Sequence, residues 1–545
     1  MMQQQQHDST NLLLLKEPPA NIPASTKNGI PSHHLPSSDV SSSSSSSSQQ
    51  QPLPQIIYNF IAGTFMNDEH HHSIHNDEWI INKSPATNQI ISYIPASSDR
   101  HVQQAVDASK KCWRERSWCG LSEEERAQYL DKIANEIERR MDEFARAESL
   151  DTGKPITLAK NLDIARAVSN FRFFAQAIRQ THTKAHLMGD KVINYTTRRP
   201  AGIVGVIVPW NLPIYLLSWK VAPALACGNC VIAKSSELTP LTANLLAEVV
   251  RDVKLPNGAF NLLHGYGRDC GRAIVAHPDI NVITFTGGTA TGRVVAELAS
   301  RHFKKLSLEL GGKNPFIVFP DCDLDKAIET AKRAAFLNQG QICLCASRFI
   351  VHESIHDQFV ERLKKLTEET TKIGNPSDAT TTFGSQISLE HLEKIEYYVK
   401  LAQHEGGTIV TGGKRPDLSQ HDPQLKEGAF FTPTIITGLD YKSRTATEEI
   451  FGPVCTIHKF STDEQALEMA NYVDYGLCAT VFTSNLTRAH RFSDELESGI
   501  VWVNTWLLRD LRTPFGGMKK SGLHREGGEY SLEFYSEDKN ICINL

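Results

Sequence analysis

Short apolar segments alternate along this chain with longer segments in which apolar and charged positions recur at helical spacing. The longer segments, at residues 123–150 and 325–338, predict helices. The short segments predict strands at residues 229–233, 281–285, 315–318, 349–352 and 499–504. Strands that alternate with helices are typical of parallel sheets, so we expect an α/β fold. Two such blocks span 55–310 and 311–515, and residues 539–545 predict one more strand at an edge.

An uncharged run at residues 201–219 has about the length of a membrane span. Pro209, Asn211 and Pro213 interrupt its centre, however. We therefore interpret the run as a buried strand at 202–208, a tight polar loop and a buried helix from about Ile214, since fully buried parallel strands carry few polar residues. No membrane partner is expected.

Residues 1–54 differ in composition from the rest of the chain. They contain eight consecutive serines at 41–48 and glutamine runs at 3–6 and 49–51. Such a segment buries too little apolar surface to offset its ordering entropy, and we expect a disordered Ser/Gln-rich tail. Neither a secretory nor a transit signal is expected, because no long apolar run follows a basic start and the first arginine is Arg100.

Composition narrows the classes of function. Of 545 residues, 40% are apolar and 22% are charged, with a formal net charge of −5. This balance is ordinary for a globular enzyme and argues against a nucleic-acid partner bound through bulk positive charge. The 11 cysteines are scattered and odd in number, which does not suggest a disulfide framework and indicates a reducing, cytoplasmic location.

Three residues carry candidate catalytic chemistry. Cys343, in NQGQICLCASR, lies in a turn between a predicted helix and strand, where a small molecule can reach its thiolate. Glu309, in LSLELGGKNP, ends a predicted strand and is placed to activate the thiol or a water. Asn211, in VPWNLP, offers an amide donor of the kind that an oxyanion needs. The structural alternatives are a buried thiol, a solvated carboxylate and an ordinary turn asparagine.

Two further segments are candidates for binding a dinucleotide. In FTGGTATG, Gly287 and Gly288 form a turn between a strand and a helix whose exposed backbone amides suit a pyrophosphate, although the spacing is not GxGxxG. Lys234 and Glu237 follow the strand at 229–233 and are placed to hold the two hydroxyls of a ribose. A carboxylate there disfavours a 2′-phosphate, which favours NAD over NADP.

Seven strings occur in one order over residues 55–545: VPWNLP, KSSELTP, FTGGTATG, LELGGKNP, NQGQICLCASR, EEIFGPV and PFGGMKKSG. Together they resemble the aldehyde dehydrogenase superfamily. The resemblance implies that Cys343 is the nucleophile, Glu309 the general base, and Asn211 with the backbone amide of Cys343 the oxyanion hole. It implies a proton-relay role for Glu526 and no metal. It also implies NAD as cofactor, contacted by Val208, Trp210, Lys234, Glu237, Gly287, Gly288, Glu449 and Phe451.

The same resemblance implies two Rossmann-like parallel α/β domains and a small β arm for oligomerisation. The NAD-binding domain is expected at 55–181 and 201–310, the catalytic domain at 311–515, and the arm at 182–200 and 525–545. The arm implies a homo-oligomer, either a dimer or a tetramer. One departure concerns Gly288, where the family commonly has a serine; loss of one ordinary hydrogen bond weakens NAD binding by about 1 kcal/mol.

Two arginines bear on the substrate. If Arg166 and Arg509 both face the aldehyde tunnel, they predict an aldehyde with a distal carboxylate, because arginine binds carboxylates in bidentate fashion. The alternative is a pair of ordinary ion-paired arginines. Their surrounding strings, DIAR, NFRFFA and WLLRDLRTPFGG, resemble the subgroup that oxidises 2-aminomuconate 6-semialdehyde in tryptophan–kynurenine degradation. A sister subgroup, which oxidises the 2-hydroxymuconate analogue, shares nearly the same strings.

Other functions remain as alternatives. A retinal-type or general aldehyde dehydrogenase needs an apolar tunnel without arginine, and a CoA-acylating relative has less need of Glu309 as a base. A structural protein without turnover would not need to retain the three catalytic candidates. The CxxC spacing of Cys227 and Cys230 is not interpreted as a redox or zinc site, because it has neither a second pair nor a thioredoxin context. The histidines at 70–72 and 75 could bind a metal adventitiously, but we expect a solvated hairpin loop there.

Overall fold

The computed structural model describes residues 54–66, 79–420 and 422–544. The expected disordered tail, apart from Pro54, and the histidines at 70–75 lie outside the described residues.

The largest sheet of the described chain has five parallel strands at its centre and antiparallel strands at both ends. The parallel strands are buried and rich in Val, Ile and Leu, as expected for strands covered on both faces. In spatial order the strands are Gly522–Leu523, Lys305–Glu309, Val282–Thr286, Ile203–Ile207, Cys230–Lys234, Phe260–Leu263, Phe60–Ile61 and Thr64–Phe65.

A second sheet has six parallel strands and one antiparallel edge strand among the described residues. Its strands, in spatial order, are Thr408–Thr411, Thr434–Thr437, Val454–Phe460, Ala346–His352, Asn314–Val318, Cys478–Phe482 and Ile500–Val503. The parallel pairing in both sheets confirms the predicted α/β class.

An antiparallel sheet connects two distant parts of the sequence. Val192–Pro200 pairs with Ser536–Asn544 on one side and with Ala185–Met188 on the other. The final strand begins three residues earlier than the one predicted at 539–545, because Ser536 already pairs with Pro200. The remaining strands form two small sheets: Gln55–Ile56, Ile90–Pro95 and Trp79–Lys83 in one, and Tyr475–Gly476 with Met518–Lys519 in the other.

Helices connect the strands and cover the two large sheets. The α-helices are Asp99–Arg114, Glu123–Arg139, Met141–Thr152, Ile156–Leu158, Ala165–Ile178, Pro213–Ala226, Leu241–Asp252, Arg272–Ala276, Thr289–Ser300, Leu324–Phe336, Glu353–Thr370, Leu389–His404, Arg444–Thr447, Asp463–Asn471, Leu486–Glu495 and Gly528–Phe534. The π-helices are Ala159–Ile164 and Gly267–Gly271, and the 3-10 helices are Leu337–Gly340 and Pro423–Leu425. No helix in the described part of the chain is long and apolar enough to cross a membrane.

The single helix predicted at 123–150 is wrong, because the structure has two helices there. The first begins with a capping box, in which the Ser122 hydroxyl and the Glu125 carboxylate accept each other's backbone N–H at 3.2 and 2.8 Å. It ends at Arg140, whose backbone leaves helical geometry at φ −97° and ψ 19°. The apolar periodicity continues across this break because both helices bury side chains against the same core.

The uncharged run at 201–219 forms the predicted strand, loop and helix. Ile203–Ile207 is fully buried, and the helix Pro213–Ala226 begins one residue before the predicted Ile214, with Pro213 in its first turn. The loop between them lies at the carboxyl end of a central parallel strand. Ligands of open α/β sheets bind at this edge, and Lys234, Thr286 and Glu309 end neighbouring strands there.

Candidate active site

Cys343 lies in a tight loop between the 3-10 helix Leu337–Gly340 and the strand Ala346–His352. Asn338 and Gln339 have left-handed backbone conformations, with φ of 52° and 57°. Such conformations are uncommon for residues other than glycine and persist where the surrounding structure holds them. They turn the chain sharply ahead of the cysteine, so that Cys343 leaves the helix and remains partly exposed.

The carbonyl groups of this loop are fixed by side chains that the sequence did not single out. The amide of Asn314 donates to the carbonyl of Cys343 at 2.7 Å and to that of Cys345 at 2.9 Å. The indole N–H of Trp506 donates to the carbonyl of Leu344 at 3.0 Å. Asn314 belongs to the quoted string LELGGKNP, but only the fold brings it beneath the cysteine loop.

Asn211 lies next to the same loop. Its side-chain amide donates one N–H to the carbonyl of Gln341 at 2.9 Å, which leaves its second N–H available. Within the described residues, the backbone N–H of Cys343 makes no hydrogen bond. The two free donors have the character of an oxyanion hole.

Glu309 ends the strand Lys305–Glu309 and is buried, and its Oε1 has no hydrogen-bond partner in the described structure. Burial raises the pKa of its carboxyl well above the usual range, and the nearby Glu526 raises the pKa further. Lys220 and Arg509 oppose this shift. A buried carboxyl with a raised pKa and a free oxygen is suited to accept a proton from water.

The charged groups that shift the pKa of Cys343 include other candidate site residues. Burial raises the pKa of the Cys343 thiol, and Glu309 and Glu449 raise it further, whereas Arg509 lowers it. Glu309, Glu449 and Arg509 are therefore the charged groups that set the electrostatic environment of the thiol.

Glu526 is held by a buried partner that sequence reasoning missed. Lys220 Nζ donates to Glu526 Oε1 at 2.5 Å and to the hydroxyl of Thr284 at 2.9 Å. The hydroxyl of Ser307 donates to the same carboxylate at 3.2 Å. Lys220 directly follows the uncharged run at 201–219, in the helix after Asn211. No pattern in the sequence predicted that this lysine would pair with a residue 306 positions away.

The predicted ribose clamp and pyrophosphate turn lie at the ends of neighbouring strands. Lys234 is buried and its Nζ contacts the Glu237 carboxylate at 3.1 Å, while Val208 donates its N–H to the carbonyl of Lys234 at 3.2 Å. Gly287 and Gly288 connect Val282–Thr286 to the helix Thr289–Ser300.

One observation at this turn supports a polar ligand. The hydroxyl of Thr286 is buried without a hydrogen-bond partner, directly before the two glycines. A Cβ atom on Gly288 would meet no atom within 4 Å, so the space in front of the helix N-terminus is open. An unsatisfied donor beside a helix N-terminus fits the phosphate groups of a dinucleotide.

Glu449 and Phe451 lie beside the cysteine loop. Glu449 Oε1 accepts the backbone N–H of Gly312 at 2.8 Å, and burial raises the pKa of its carboxyl. Phe451 has φ 61° and packs edge-on against Trp210, with ring centroids 5.4 Å apart. The ring of His391 holds the Phe451 carbonyl through a contact of 2.7 Å from its Nε2.

Arg166 and Arg509 come together across the cleft. The Arg509 Nη1 donates to the phenol oxygen of Tyr215 at 3.2 Å, and the Arg166 guanidinium lies 5.2 Å from the centre of the Tyr215 ring. Burial lowers the pKa of Arg166; Tyr215 opposes this shift and the positive charge of Arg509 adds to it. Arg509 also lies over the ring of Phe515, 3.9 Å from its centre.

Neither arginine has a carboxylate partner within 4.0 Å among the described residues. Two neighbouring cations in a partly buried, aromatic setting repel each other. This arrangement differs from the ion-paired surface arginines that were the alternative expectation, and it is suited to an anionic ligand.

The CxxC pair is packed in the protein core. The 11 cysteines are free thiols, and Cys227 and Cys230 are buried with contacts to backbone carbonyls of Leu532 at 3.5 Å and Ser109 at 3.6 Å.

Comparisons with known proteins identify the family. Residues 73–541 match the model of the "Aldehyde dehydrogenase family". The chain is 49% identical over 467 residues to the 2-hydroxymuconic semialdehyde dehydrogenase of Pseudomonas sp. (strain CF600), covering 85% of this chain and 95% of the relative. It is 43% identical over 490 residues to the 2-aminomuconic semialdehyde dehydrogenase of Homo sapiens, covering 90% and 98%.

The fold is also similar to the folds of solved aldehyde dehydrogenase structures. Betaine aldehyde dehydrogenase from Staphylococcus aureus, in complex with NAD+, matches with a TM-score of 0.85 and 34% identity, covering 89% of this chain and 94% of that structure. These matches confirm the family that the ordered motifs predicted. The chain belongs to the aldehyde dehydrogenase family.

Proposed function

We propose that this protein oxidises a semialdehyde with a distal carboxylate to the corresponding dicarboxylic acid, with NAD as the cofactor. The observation that carries the proposal is that Arg166 and Arg509 both contact Tyr215 and have no carboxylate partner among the described residues. An acid end held there leaves the aldehyde end of a short substrate beside the thiol.

The chain's own residues supply the covalent chemistry. The Cys343 thiolate attacks the aldehyde carbon and forms a thiohemiacetal, while the free N–H groups of Asn211 and of the Cys343 backbone stabilise the oxyanion. NAD, when bound, accepts the hydride that leaves this carbon. A thioester on Cys343 remains. Glu309 then takes a proton from water, the hydroxide attacks the thioester, and the carboxylic acid leaves with the thiol restored.

We assign several residues around the cleft to the binding of NAD. Lys234 and Glu237 hold the adenosine ribose, and Glu449 holds the nicotinamide ribose. The backbone at Gly287 and Gly288 and the hydroxyl of Thr286 hold the pyrophosphate. The support is the buried, unpartnered Thr286 hydroxyl and the open space at Gly288. Val208, Trp210 and Phe451 line the same cleft.

The domain boundaries are part of the proposal. The NAD-binding domain comprises 55–181 and 201–310, the catalytic domain 311–515, and the arm 182–200 and 525–545. Pairing of Val192–Pro200 with Ser536–Asn544 supports the arm. The helix Gly528–Phe534 precedes the second of these strands in the sequence. A homo-oligomer built through this arm, a dimer or tetramer, is part of the proposal.

The leading substrate is 2-aminomuconate 6-semialdehyde, which the strings around Arg166 and Arg509 favour. A second candidate is 2-hydroxymuconic semialdehyde, favoured by 49% identity to the Pseudomonas relative of that name. The two differ at the second carbon, and a comparison of kcat/KM for both with the wild-type enzyme decides between them. A higher value for the hydroxy compound would reverse the order proposed here.

The acid-end assignment is tested with a matched pair of six-carbon aldehydes, 6-oxohexanoate and hexanal, which differ in the distal carboxylate. We expect Arg166→Gln to raise KM for 6-oxohexanoate about 30-fold, because a hydrogen bond between charged groups contributes roughly 2 kcal/mol. KM for hexanal should remain within twofold. Arg166 is preferred to Arg509 here because Arg509 also changes the pKa of Cys343.

The control is Arg172→Gln. Arg172 lies on the same helix, Ala165–Ile178, but is ion-paired with Glu138 at 2.5 Å on the surface. This variant should leave both KM values unchanged. If Arg166→Gln raised KM for hexanal as much as for 6-oxohexanoate, the distal carboxylate would not be the recognised group and the proposal would fail. Efficient oxidation of retinal by the wild type, with none of 6-oxohexanoate, would have the same consequence.

A further inference from the structure

Tyr215 occupies a position that no motif singled out. It is the third residue of the helix Pro213–Ala226, is 7% exposed, and lies four residues after Asn211. Its backbone carbonyl accepts hydrogen bonds from the Asn170 amide at 3.3 Å and from the Ser218 hydroxyl at 2.9 Å. Asn170 lies one helical turn after Arg166, so the helices that carry Tyr215 and Arg166 are joined by a direct hydrogen bond.

The phenol group has an unused donor. The guanidinium of Arg509 has only donors, so the phenol oxygen is the acceptor in their contact of 3.2 Å. Within the described residues the phenol proton has no acceptor of its own. A nearly buried hydroxyl that accepts from one arginine and has another over its ring keeps a proton available for a group that those two cations bind.

We propose that Tyr215 is a substrate-binding residue: it donates its phenol O–H to the distal carboxylate of the semialdehyde and makes the enzyme selective for acid-bearing aldehydes. The inference rests on the proposed function. One carboxylate oxygen then accepts N–H groups from Arg509, and the other accepts the O–H of Tyr215 together with an N–H of Arg166.

This arrangement has two physical consequences. A neutral donor adds a strong hydrogen bond to a carboxylate without adding to the repulsion between the two cations. In addition, Asn211 and Tyr215 belong to one continuous segment, and the donors for the aldehyde oxygen and for the acid end are therefore fixed relative to each other. A neutral aldehyde gains nothing from the tyrosine.

The test is Tyr215→Phe, which removes the hydroxyl and keeps the ring beneath Arg166. We expect KM for 6-oxohexanoate to rise about 10-fold with kcat within twofold, and KM for hexanal to stay unchanged. The inhibition constant of adipate, a six-carbon dicarboxylate without an aldehyde, should rise by a similar factor. Tyr441→Phe removes the same atom from a partly buried tyrosine whose hydroxyl contacts Glu468 at 2.8 Å, and it should change none of these values.

Comparison with Arg166→Gln separates the two levels of the proposal. In one outcome, Arg166→Gln raises KM for 6-oxohexanoate alone, and Tyr215→Phe changes neither the KM of either aldehyde nor the inhibition constant of adipate. The tyrosine inference is then overturned and the proposed function stands. If both variants raise KM for hexanal and for 6-oxohexanoate equally, the acid-end site itself is refuted and the tyrosine inference falls with it. If Tyr215→Phe is unstable, Tyr215→His and Tyr215→Leu replace it. Tyr215→His retains a ring N–H donor and is expected to bind adipate more tightly than Tyr215→Leu. Equally weak adipate binding by both variants would overturn the inference.

Discussion

At the scale of single residues, the surroundings of Cys343 and Glu309 oppose ionisation of both proposed reactive groups. Burial raises the pKa of both the Cys343 thiol and the Glu309 carboxyl; the negative charge of Glu309 adds to the shift at Cys343, and that of Glu526 adds to the shift at Glu309. In the proposed mechanism both groups act in their deprotonated forms. The rates of attack by sulfur and of water activation must therefore increase as the pH rises above neutrality.

Replacement of the general base separates these two steps. We expect Glu309→Gln to release about one NADH per active site in a rapid burst and then to turn over at least about 100-fold more slowly than the wild type, because general base catalysis contributes a factor of this order. Stopped-flow absorbance of NADH measures both phases. The rise of wild-type kcat with pH above neutrality should be lost in the variant.

Cys343→Ala is the control for this burst, since it removes the nucleophile and should release no NADH while still binding NAD. Cys345→Ala, two positions further on and buried, should behave as the wild type. Full steady turnover without a burst in Glu309→Gln would contradict the assignment of the base.

Gly288 offers a second test at this scale. Its φ is −69° and a Cβ atom would meet nothing within 4 Å, so a serine fits without strain. We expect Gly288→Ser to tighten NAD binding about fivefold, because the added hydroxyl supplies one hydrogen bond of about 1 kcal/mol to a phosphate. Quenching of tryptophan fluorescence measures the Kd.

Gly287→Ser is the contrasting variant. A Cβ atom on Gly287 would lie 2.4 Å from the ring of Phe285, which forces the turn to shift. This variant should weaken NAD binding. Equal Kd values for Gly288→Ser and the wild type would show that no phosphate lies within reach of residue 288.

At the scale of elements, a π-helix connects the two ends of the proposed substrate site. Ala159–Ile164 places Asp163 in the interior, where it binds Lys154 at 2.9 Å. Lys154 Nζ also donates to the backbone carbonyl of Asn211 at 3.0 Å. Arg166 follows Asp163 by three residues in the next helix, so the π-helix links the buried ion pair to the helix that carries Arg166.

The buried ion pair gives a prediction that separates stability from catalysis. Lys154→Met should destabilise the fold by about 3–5 kcal/mol, because it leaves Asp163 buried and unpaired. The buried Glu148, 4.0 Å from the same Nζ, also loses a cation but keeps its hydrogen bonds from Thr242 and Ile214. The double variant Lys154→Met with Asp163→Leu should recover most of the denaturant midpoint. The kcat of the double variant should nevertheless remain about 10-fold below that of the wild type. Without Lys154, the Asn211 carbonyl keeps only its 3.0 Å hydrogen bond from Asn338.

Lys160→Met is the matched control, because Lys160 belongs to the same π-helix and its ion pair with Asp142 is exposed. We expect it to change neither the midpoint nor kcat. A double variant with both normal stability and normal kcat would exclude a role for Lys154 in positioning Asn211.

At the scale of the whole molecule, the antiparallel arm presents an apolar edge. All four residues of Ala185–Met188 are exposed, including Leu187 at 78% and Met188 at 62%. An exposed edge strand with apolar side chains is a template for pairing with another chain. This geometry agrees with the homo-oligomer proposed from the family resemblance.

Charge on this edge should therefore dissociate the oligomer. We expect Leu187→Glu combined with Met188→Glu to reduce the molar mass in light scattering to that of a single chain, 60.7 kDa. Leu486→Glu, at an equally exposed apolar position in a helix outside the arm, is the control and should leave the mass unchanged. An unchanged mass in the double variant would place the subunit contact elsewhere.

The sequence predicted some levels of organisation better than others. The α/β class and the family are confirmed, because buried parallel strands and ordered motifs are both local features of the sequence. The single helix at 123–150 is wrong, because periodicity does not reveal a backbone break at Arg140 when both helices bury the same face. The assignments of catalytic, cofactor and substrate residues remain predictions.

The sequence by itself determined which residue types stand at the ends of the strands and in the turns, since strand patterns and glycine turns depend on neighbours along the chain. Only the tertiary structure decided which distant groups meet: Lys220 with Glu526, Asn314 with the Cys343 loop, and Tyr215 with the two arginines. Such contacts depend on how sheets and helices pack, and a hydrogen bond between residues hundreds of positions apart leaves no local pattern in a single sequence.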